Sequence, residues 1–320
     1  MSLSIRPATG DPTELDLLVL GDINPDLVLA GDDLTPAFGQ VEQLIDSAAL
    51  TIGGSGPIMA CGAARLGLRT AIVGVVGDDL FGRFMTDSLA ARGVDVRDVI
   101  VAPSAATGLS VILARSEDRA ILTFPGTTAA LTGDLLPSTL LQQARHVHAA
   151  SFFLQTALAP ELGRIFADAH AAGATTSLDP NWDPAEVWEG GLTAALAATD
   201  VFLPNAEEAQ RIARVADPPA AAAALARTAG LVAVKLGAEG ALAAATDAEL
   251  IRVSPRFDVV PVDTVGAGDS FDAGLLAGVL RGESIERALE IGCACGALST
   301  RAAGGTAAQP TLAEALAAIG

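Results

Sequence analysis

Short apolar runs bounded by Gly, Pro and Asp alternate along this chain with alanine-rich stretches whose hydrophobic positions recur at helical spacing. The runs at 15–20, 70–76, 146–150, 174–178, 201–203 and 231–235 read as buried strands. Helices are predicted over 57–66, 80–92, 160–171, 207–213 and 218–228. Such alternation builds an α/β fold on a mainly parallel central sheet flanked by helices. Two stretches break it. Residues 26–51 and 107–124 read as short strands with turn residues on either side of the first strand–helix–strand unit, and they predict a small β lid. Further helices are predicted at 267–281, 285–301 and 311–319, the last opened by the capping box Thr311-x-x-Glu314. Without a long polar linker or an internal repeat, residues 1–320 read as one domain carrying that lid.

Composition narrows the partners. Nineteen Lys plus Arg against 38 Asp plus Glu give a net charge of −19, which repels nucleic acid and anionic lipid surfaces. Lys235 is the one lysine and follows Val234 rather than a glycine, so no Walker A loop exists. Mean hydropathy of +0.45 comes from alanine. The longest charge-free stretch, 47–64, carries four glycines and a proline and cannot span a membrane. No basic segment leading into an apolar core opens the chain, so a cytoplasmic protein is the expectation. Cys61, Cys293 and Cys295 lack redox or zinc spacing and read as small buried residues. His146, His148 and His170 form no metal spacing, and His146 and His148, two apart on a strand, are expected at the core edge or surface.

The segment Asp263-Thr264-Val265-Gly266-Ala267-Gly268-Asp269-Ser270-Phe271-Asp272-Ala273-Gly274 places small residues before an acid at the start of a helix. Small side chains let helix-start amides approach an anion, where the helix dipole also favours negative charge. A carboxylate beside such a site takes the proton of an attacking hydroxyl, while the amides of Gly266, Ala267 and Gly268 hold the charge on a transferred phosphoryl group. Taken alone, the acid reads first as an N-terminal residue that stabilises its own helix.

Residues 263–276 resemble, position by position, the C-terminal signature of the ribokinase-like (PfkB) carbohydrate kinase family. Other segments resemble the family in order and spacing: 21–26 with Asn24 and Asp26, the diglycine Gly53-Gly54, the loop 74–82, Asn205-Ala206-Glu207-Glu208, and 234–240. The resemblance spans nearly the whole chain. It implies a three-layer kinase fold using ATP and Mg²⁺, with a small sugar or polyol as acceptor. Asp269 is then the catalytic base, with 266–268 as the anion hole. Asn24, Asp26, Gly53 and Gly54 lie around the acceptor. Asn181, Asn205, Lys235, Gly237, Gly240 and Thr264 lie around the nucleotide, and Asn205 and Glu208 lie near Mg²⁺, through waters. Asp263 sits beside a loop implied to hold a monovalent cation, K⁺ for example. Pairing of lids into a homodimer stays open.

Two positions depart from the family pattern. Ile58 stands at the acceptor site where an asparagine is usual, which removes a hydrogen bond to the sugar. Asp183 replaces the arginine of an Asp-Pro-Asn-x-Arg stretch, and an acid there is expected to oppose a sugar carboxylate, so sugar acids rank lower. A nucleoside acceptor is an alternative, although 4% aromatic residues offer few stacking partners beyond Phe38, Phe152 and Phe153. A catalytically silent ligand-binding relative is another, opposed by the presence of Asp269, Asn205 and Glu208 together. A protein kinase fails because only 85 residues follow Lys235 and no His-Arg-Asp occurs. A Rossmann dehydrogenase fails because the first strand lacks Gly-x-Gly-x-x-Gly. Trp182 and Trp188 are expected to pack and Arg119 to be a solvated lid residue, while Asp78 and Asp79 read equally as a helix start or as functional residues.

Overall fold

Leu17–Leu20 (β1) is buried along its whole length, as a strand covered on both faces must be. Its alternate side chains divide the interior. Leu17 and Val19 join one apolar cluster and Leu18 and Leu20 the other, so the sheet lies between two helical layers. The computed structural model describes residues 5–9, 11, 14–115, 118–254 and 257–320. The strands after β1 are β2 (Pro25–Ala30), β3 (Ser47–Ile52), β4 (Thr70–Val73), β5 (Val75–Gly77), β6 (Ile100–Ala102) and β7 (Leu109–Arg115). Then come β8 (Asp118–Phe124), β9 (His146–Ala149), β10 (Thr175–Leu178), β11 (Val201–Phe202), β12 (Leu231–Lys235), β13 (Ala241–Ala245) and β14 (Ile251–Val253).

The helices are α1 (Ser55–Arg65), α2 (Leu80–Ala90), α3 (Ser138–Gln143), α4 (Leu162–Ala171) and α5 (Leu192–Leu196). The later ones are α6 (Ala206–Ala213), α7 (Pro218–Leu225), α8 (Ala267–Leu280), α9 (Ile285–Ser299) and α10 (Leu312–Ile319). Residues of α1, α8 and α9 fill one cluster, and residues of α4 and α7 the other.

Among the described residues the central sheet runs β14-β13-β12-β11-β10-β9-β1-β4. It is parallel from β4 to β12, and β13 and β14 close its edge antiparallel. The α/β class expected from the alternation is therefore the observed one. The edge hairpin β13–β14 was not expected, because its alanine-rich strand reads as helix former. The short helices α3 and α5 were missed for lack of length. The run 70–76 divides at Gly74, where an added Cβ would stand 2.5 Å from the Gly21 carbonyl oxygen. Beyond it, β5 leaves the main sheet and pairs with β6.

Strands from the segments 26–51 and 107–124 meet in one four-stranded sheet, β3-β2-β7-β8, which carries exposed Ile121, Leu122 and Phe124. The side chain of Arg119 lies outside the described residues. No helix among the described residues is long and apolar enough to cross a membrane.

His146 and His148 lie on one face of β9 and are fully buried, not at an edge or surface, because β9 is an interior strand of a sheet whose two faces are both covered by helical layers. His146 bonds Thr175 Oγ1 and Ser177 Oγ at 2.7 Å each, and His148 Nδ1 bonds Ser177 Oγ at 2.8 Å. Burial pushes His146 down to about 3 and His148 down to about 4, so both are neutral. The three cysteines are buried, and burial pushes each thiol up to about 12. Asp79 caps α2 by accepting from the Gly82 amide at 2.8 Å.

Candidate active site

Strands β1, β10, β11 and β12 are parallel, so their C-terminal ends open on one edge of the sheet, the usual crevice for ligands in such folds. After β1 the chain gathers Asp22, Asn24 and Asp26, all buried, around the diglycine before α1. Gly54 has φ +75°, and a Cβ on it would meet the Asp22 carbonyl at 2.7 Å and Asn24 Oδ1 at 3.1 Å. A Cβ on Gly53 would stand 2.1 Å from Asp26 Oδ1. These polar side chains therefore touch the helix start only because both residues lack side chains. Burial pushes Asp22 up to about 6, although its carboxylate accepts from the Gly56 amide at 3.4 Å.

Helix α8 starts on the same edge. Gly266 has φ +71°, and a Cβ there would stand 2.8 Å from both Gly305 Cα and Ile58 Cγ2. The first-turn amides of α8 have no intrahelical acceptor; of the expected anion hole, the Ala267 amide donates to the Thr264 carbonyl at 3.3 Å, which leaves Gly268, with Asp269, to present N–H groups to an anion. Asp269 Oδ1 accepts a hydrogen bond from Ser55 Oγ, the first residue of α1. The acceptor-side cluster and the α8 start are thus one surface. Burial, reinforced by the nearby Asp179 and Asp22 carboxylates, pushes Asp269 up to about 8, with Ser55 and Lys235 opposing the rise.

Beneath Asp269 lie two more acids. Carboxylate oxygens of Asp179, Asp269 and Asp272 all fall within 4.8 Å of one another. Lys235 Nζ occupies this cluster, 2.6 Å from Asp179 Oδ2 and 3.2 and 3.3 Å from the two oxygens of Asp272. Burial favours neutral Asp179, but Lys235 and hydrogen bonds hold it below the usual carboxylate value. Burial and the Asp179 charge push Asp272 well above it. Burial works against charge on Lys235 as well, yet the two carboxylates raise its pKa.

Beside the α8 start is a cavity of about 660 Å³, lined by Lys235, Gly237, Gly240, Phe257, Thr264 and Gly268 among others. Asn205 and Glu208 form a capping box on α6: the Asn205 amide donates to Glu208 Oε2 at 2.8 Å, and the Glu208 amide donates to Asn205 Oδ1 at 2.9 Å. Burial, with the Asp179 charge, pushes Glu208 up to about 7.

Residues 14–312 match the model of the pfkB family carbohydrate kinases. This chain belongs to that family. It is 33% identical over 304 residues to an ATP-dependent ribose-1-phosphate kinase of Halopiger xanaduensis, covering 95% of this chain and 97% of that one. It is 34% identical over 275 residues to a 2-dehydro-3-deoxygluconokinase of Bacillus subtilis, covering 81% and 84%. Among solved structures it superposes with a TM-score of 0.82 on an E. coli protein assigned as ribokinase II in complex with ATP and Mg²⁺. That match is 25% identical and covers 95% of this chain and 99% of that one.

Within this sugar kinase, several of the singled-out side chains are engaged in local contacts. Ile58, expected at the acceptor site, is 3% exposed and packs beneath Gly266 and Gly305, where it supports the α8 loop. Asp183 is buried in its own turn, accepting from the amides of Ala185, Val187 and Trp188 at 2.9, 2.8 and 2.6 Å. Both of its carboxylate oxygens are engaged within that turn. Asn181, at φ +53°, donates to Ser151 Oγ at 3.2 Å and accepts from the Trp182 amide at 2.7 Å. Asp263 accepts from the Val265 amide at 2.9 Å and the Gly304 amide at 2.8 Å, tying two loops beside the cavity.

Phe152, Phe153, Trp188 and Trp182 stack edge to face in series, so the phenylalanines are engaged with one another and with the tryptophans. Ser55, Asp22, Asp179 and Asp272 were not singled out from the sequence. Only the i, i+3 spacing of Asp269 and Asp272 on α8 signalled one of them.

Proposed function

We propose that this kinase transfers the γ-phosphoryl group of ATP to a hydroxyl of a small uncharged sugar or polyol. The observation that carries the reading is the place of Asp269. Through Ser55 it joins the Asp22, Asn24 and Asp26 cluster, and through Gly268 it borders the 660 Å³ cavity. An acceptor hydroxyl held by Asn24 and Asp26 would lie beside a carboxyl whose raised pKa suits proton abstraction near neutral pH. The α8 start would hold the charge of the phosphoryl group in transfer, since its amides need no reorganisation. The cavity takes the nucleotide base and sugar, with Gly240 and Thr264 on its wall.

Mg²⁺ suits this edge of the sheet. Only Oε2 of Glu208 enters the capping box, and its raised pKa marks a buried carboxyl that gains from a nearby cation. When bound, Mg²⁺ supplies charge neutralisation of the phosphates. K⁺ beside Asp263 stays a weaker reading, because both carboxylate oxygens already accept backbone amides.

An uncharged acceptor follows from electrostatics. Asp22 and Asp26 border the site, and Lys235 beside Asp269 is already paired. The test is ADP release with ATP, Mg²⁺ and a panel of pentoses, hexoses, polyols, adenosine, ribose 1-phosphate and 2-dehydro-3-deoxygluconate. The neutral sugars or polyols should exceed the two anionic acceptors and adenosine in kcat/KM by about tenfold or more, the scale of one misplaced charge or lost fit. Preference for an anionic acceptor or for adenosine refutes the assignment.

A further inference from the structure

The resemblance assigns Lys235 to the nucleotide, yet its ammonium is engaged by Asp179 and Asp272. It also lies directly under the α8 start, where a Cβ on Gly268 would stand 3.7 Å from Nζ. Asp269 is the next residue, and its carboxylate shares the 4.8 Å cluster with Asp179 and Asp272. We propose that Lys235 is a positioning residue for Asp269: clamped between Asp179 and Asp272, it joins β12 and the end of β10 to α8 and fixes the charge beneath the base. This rests on the reading of Asp269 as base.

The physical ground is that carboxylates this close do not all ionise without a cation among them. Asp22 faces Asp269 from the end of β1, Ser55 from α1, Asp179 from the end of β10, Lys235 from β12 and Asp272 from the next turn of α8. Glu208 on α6 adds negative charge behind Asp179, and His148 on β9 is neutral. Lys235 is thus the one cation in this set. The clamp also ties together elements distant in the chain, since Lys235 is 56 residues from Asp179 and 37 from Asp272.

The test compares wild type, Lys235→Met, Asp179→Asn and the double variant. Carbon-13 NMR of aspartate-labelled protein follows the Asp269 carboxyl, identified by its loss in Asp269→Asn, and needs no acceptor. The Asp269 midpoint is expected to rise by about one pH unit or more in Lys235→Met, fall by a similar amount in Asp179→Asn, and return near wild type in the double variant. Calorimetric affinity for Mg·ATP separates the roles, because a phosphate-binding lysine would lose about tenfold or more in affinity while leaving that midpoint in place. An unmoved midpoint in Lys235→Met, or a rise in Asp179→Asn, overturns the proposal. If Lys235→Met does not fold by circular dichroism, Asp179→Asn decides alone, and a midpoint that fails to fall overturns it. Wild-type turnover in Asp269→Asn would instead refute the assignment of the base. Loss of turnover there with unmoved midpoints refutes only the role of Lys235.

Discussion

The raised pKa of Asp269 makes a quantitative claim about rate against pH. The profile of kcat/KM reports groups of the free enzyme, the state described here. With a midpoint at about 8, a base that must be ionised is about 9% active at pH 7 and about 1% active at pH 6. The rate constant should therefore fall about tenfold per pH unit below the midpoint, whereas an ordinary aspartate near 3.9 would give a flat profile there. Coupled measurement of ADP release with the best panel acceptor reads this directly. In Asp269→Asn the acidic limb disappears and kcat falls by about two to four orders of magnitude, the scale of general-base catalysis.

Stability carries the same sign. The folded protein binds a proton on Asp269 up to about pH 8, while the unfolded chain releases it near the ordinary value of 3.8. The stability this contributes is fully present below the unfolded value and is lost as pH rises through the folded one. Asp269→Asn should thus melt higher than wild type at pH 8 and gain less at pH 5. A wild-type profile that is flat from pH 6 to 8, with an unchanged melting difference, refutes the reasoning.

Ser55→Ala removes a hydrogen bond that favours the charged form of Asp269, so the limb should move up by about one pH unit and turnover near neutral pH fall about tenfold; the same rate profile checks both. Gly266→Ala meets a left-handed φ and the backbone of Gly305, and is expected to cost about 2–4 kcal/mol by denaturant titration and to depress kcat with it. Excess chelator should abolish ADP release and added Mg²⁺ restore it, because a chain of net charge −19 with one paired lysine has little else to balance nucleotide phosphates; appreciable turnover in chelator contradicts this.

Some of the protein is local in sequence and was legible there. The alternation of apolar runs with amphipathic stretches determined an α/β class, because strand and helix periods are set by the backbone. Gly266, Ala267, Gly268 and Asp269 were readable because a helix start is built from consecutive amides and one neighbouring acid. Only the tertiary structure decided the rest. Ile58 turns into the floor beneath Gly266 because α1 packs under the α8 loop, and Asp183 turns into its own loop because three amides of the turn, that of Trp188 buried, converge on its carboxylate. The two histidines of β9 are interior because helical layers cover both faces of the sheet at this interior strand, which a period of two does not reveal.

The pairing of Lys235 with Asp179 and Asp272 joins residues from β12, the end of β10 and α8. No spacing announces such a cluster, since its energy comes from charges brought within a few ångströms only after the sheet has formed. The sequence alone singled out the residues of the α8 start. The packing decided their charge state, because burial and the neighbouring carboxylates, not residue type, set how tightly Asp269 holds its proton.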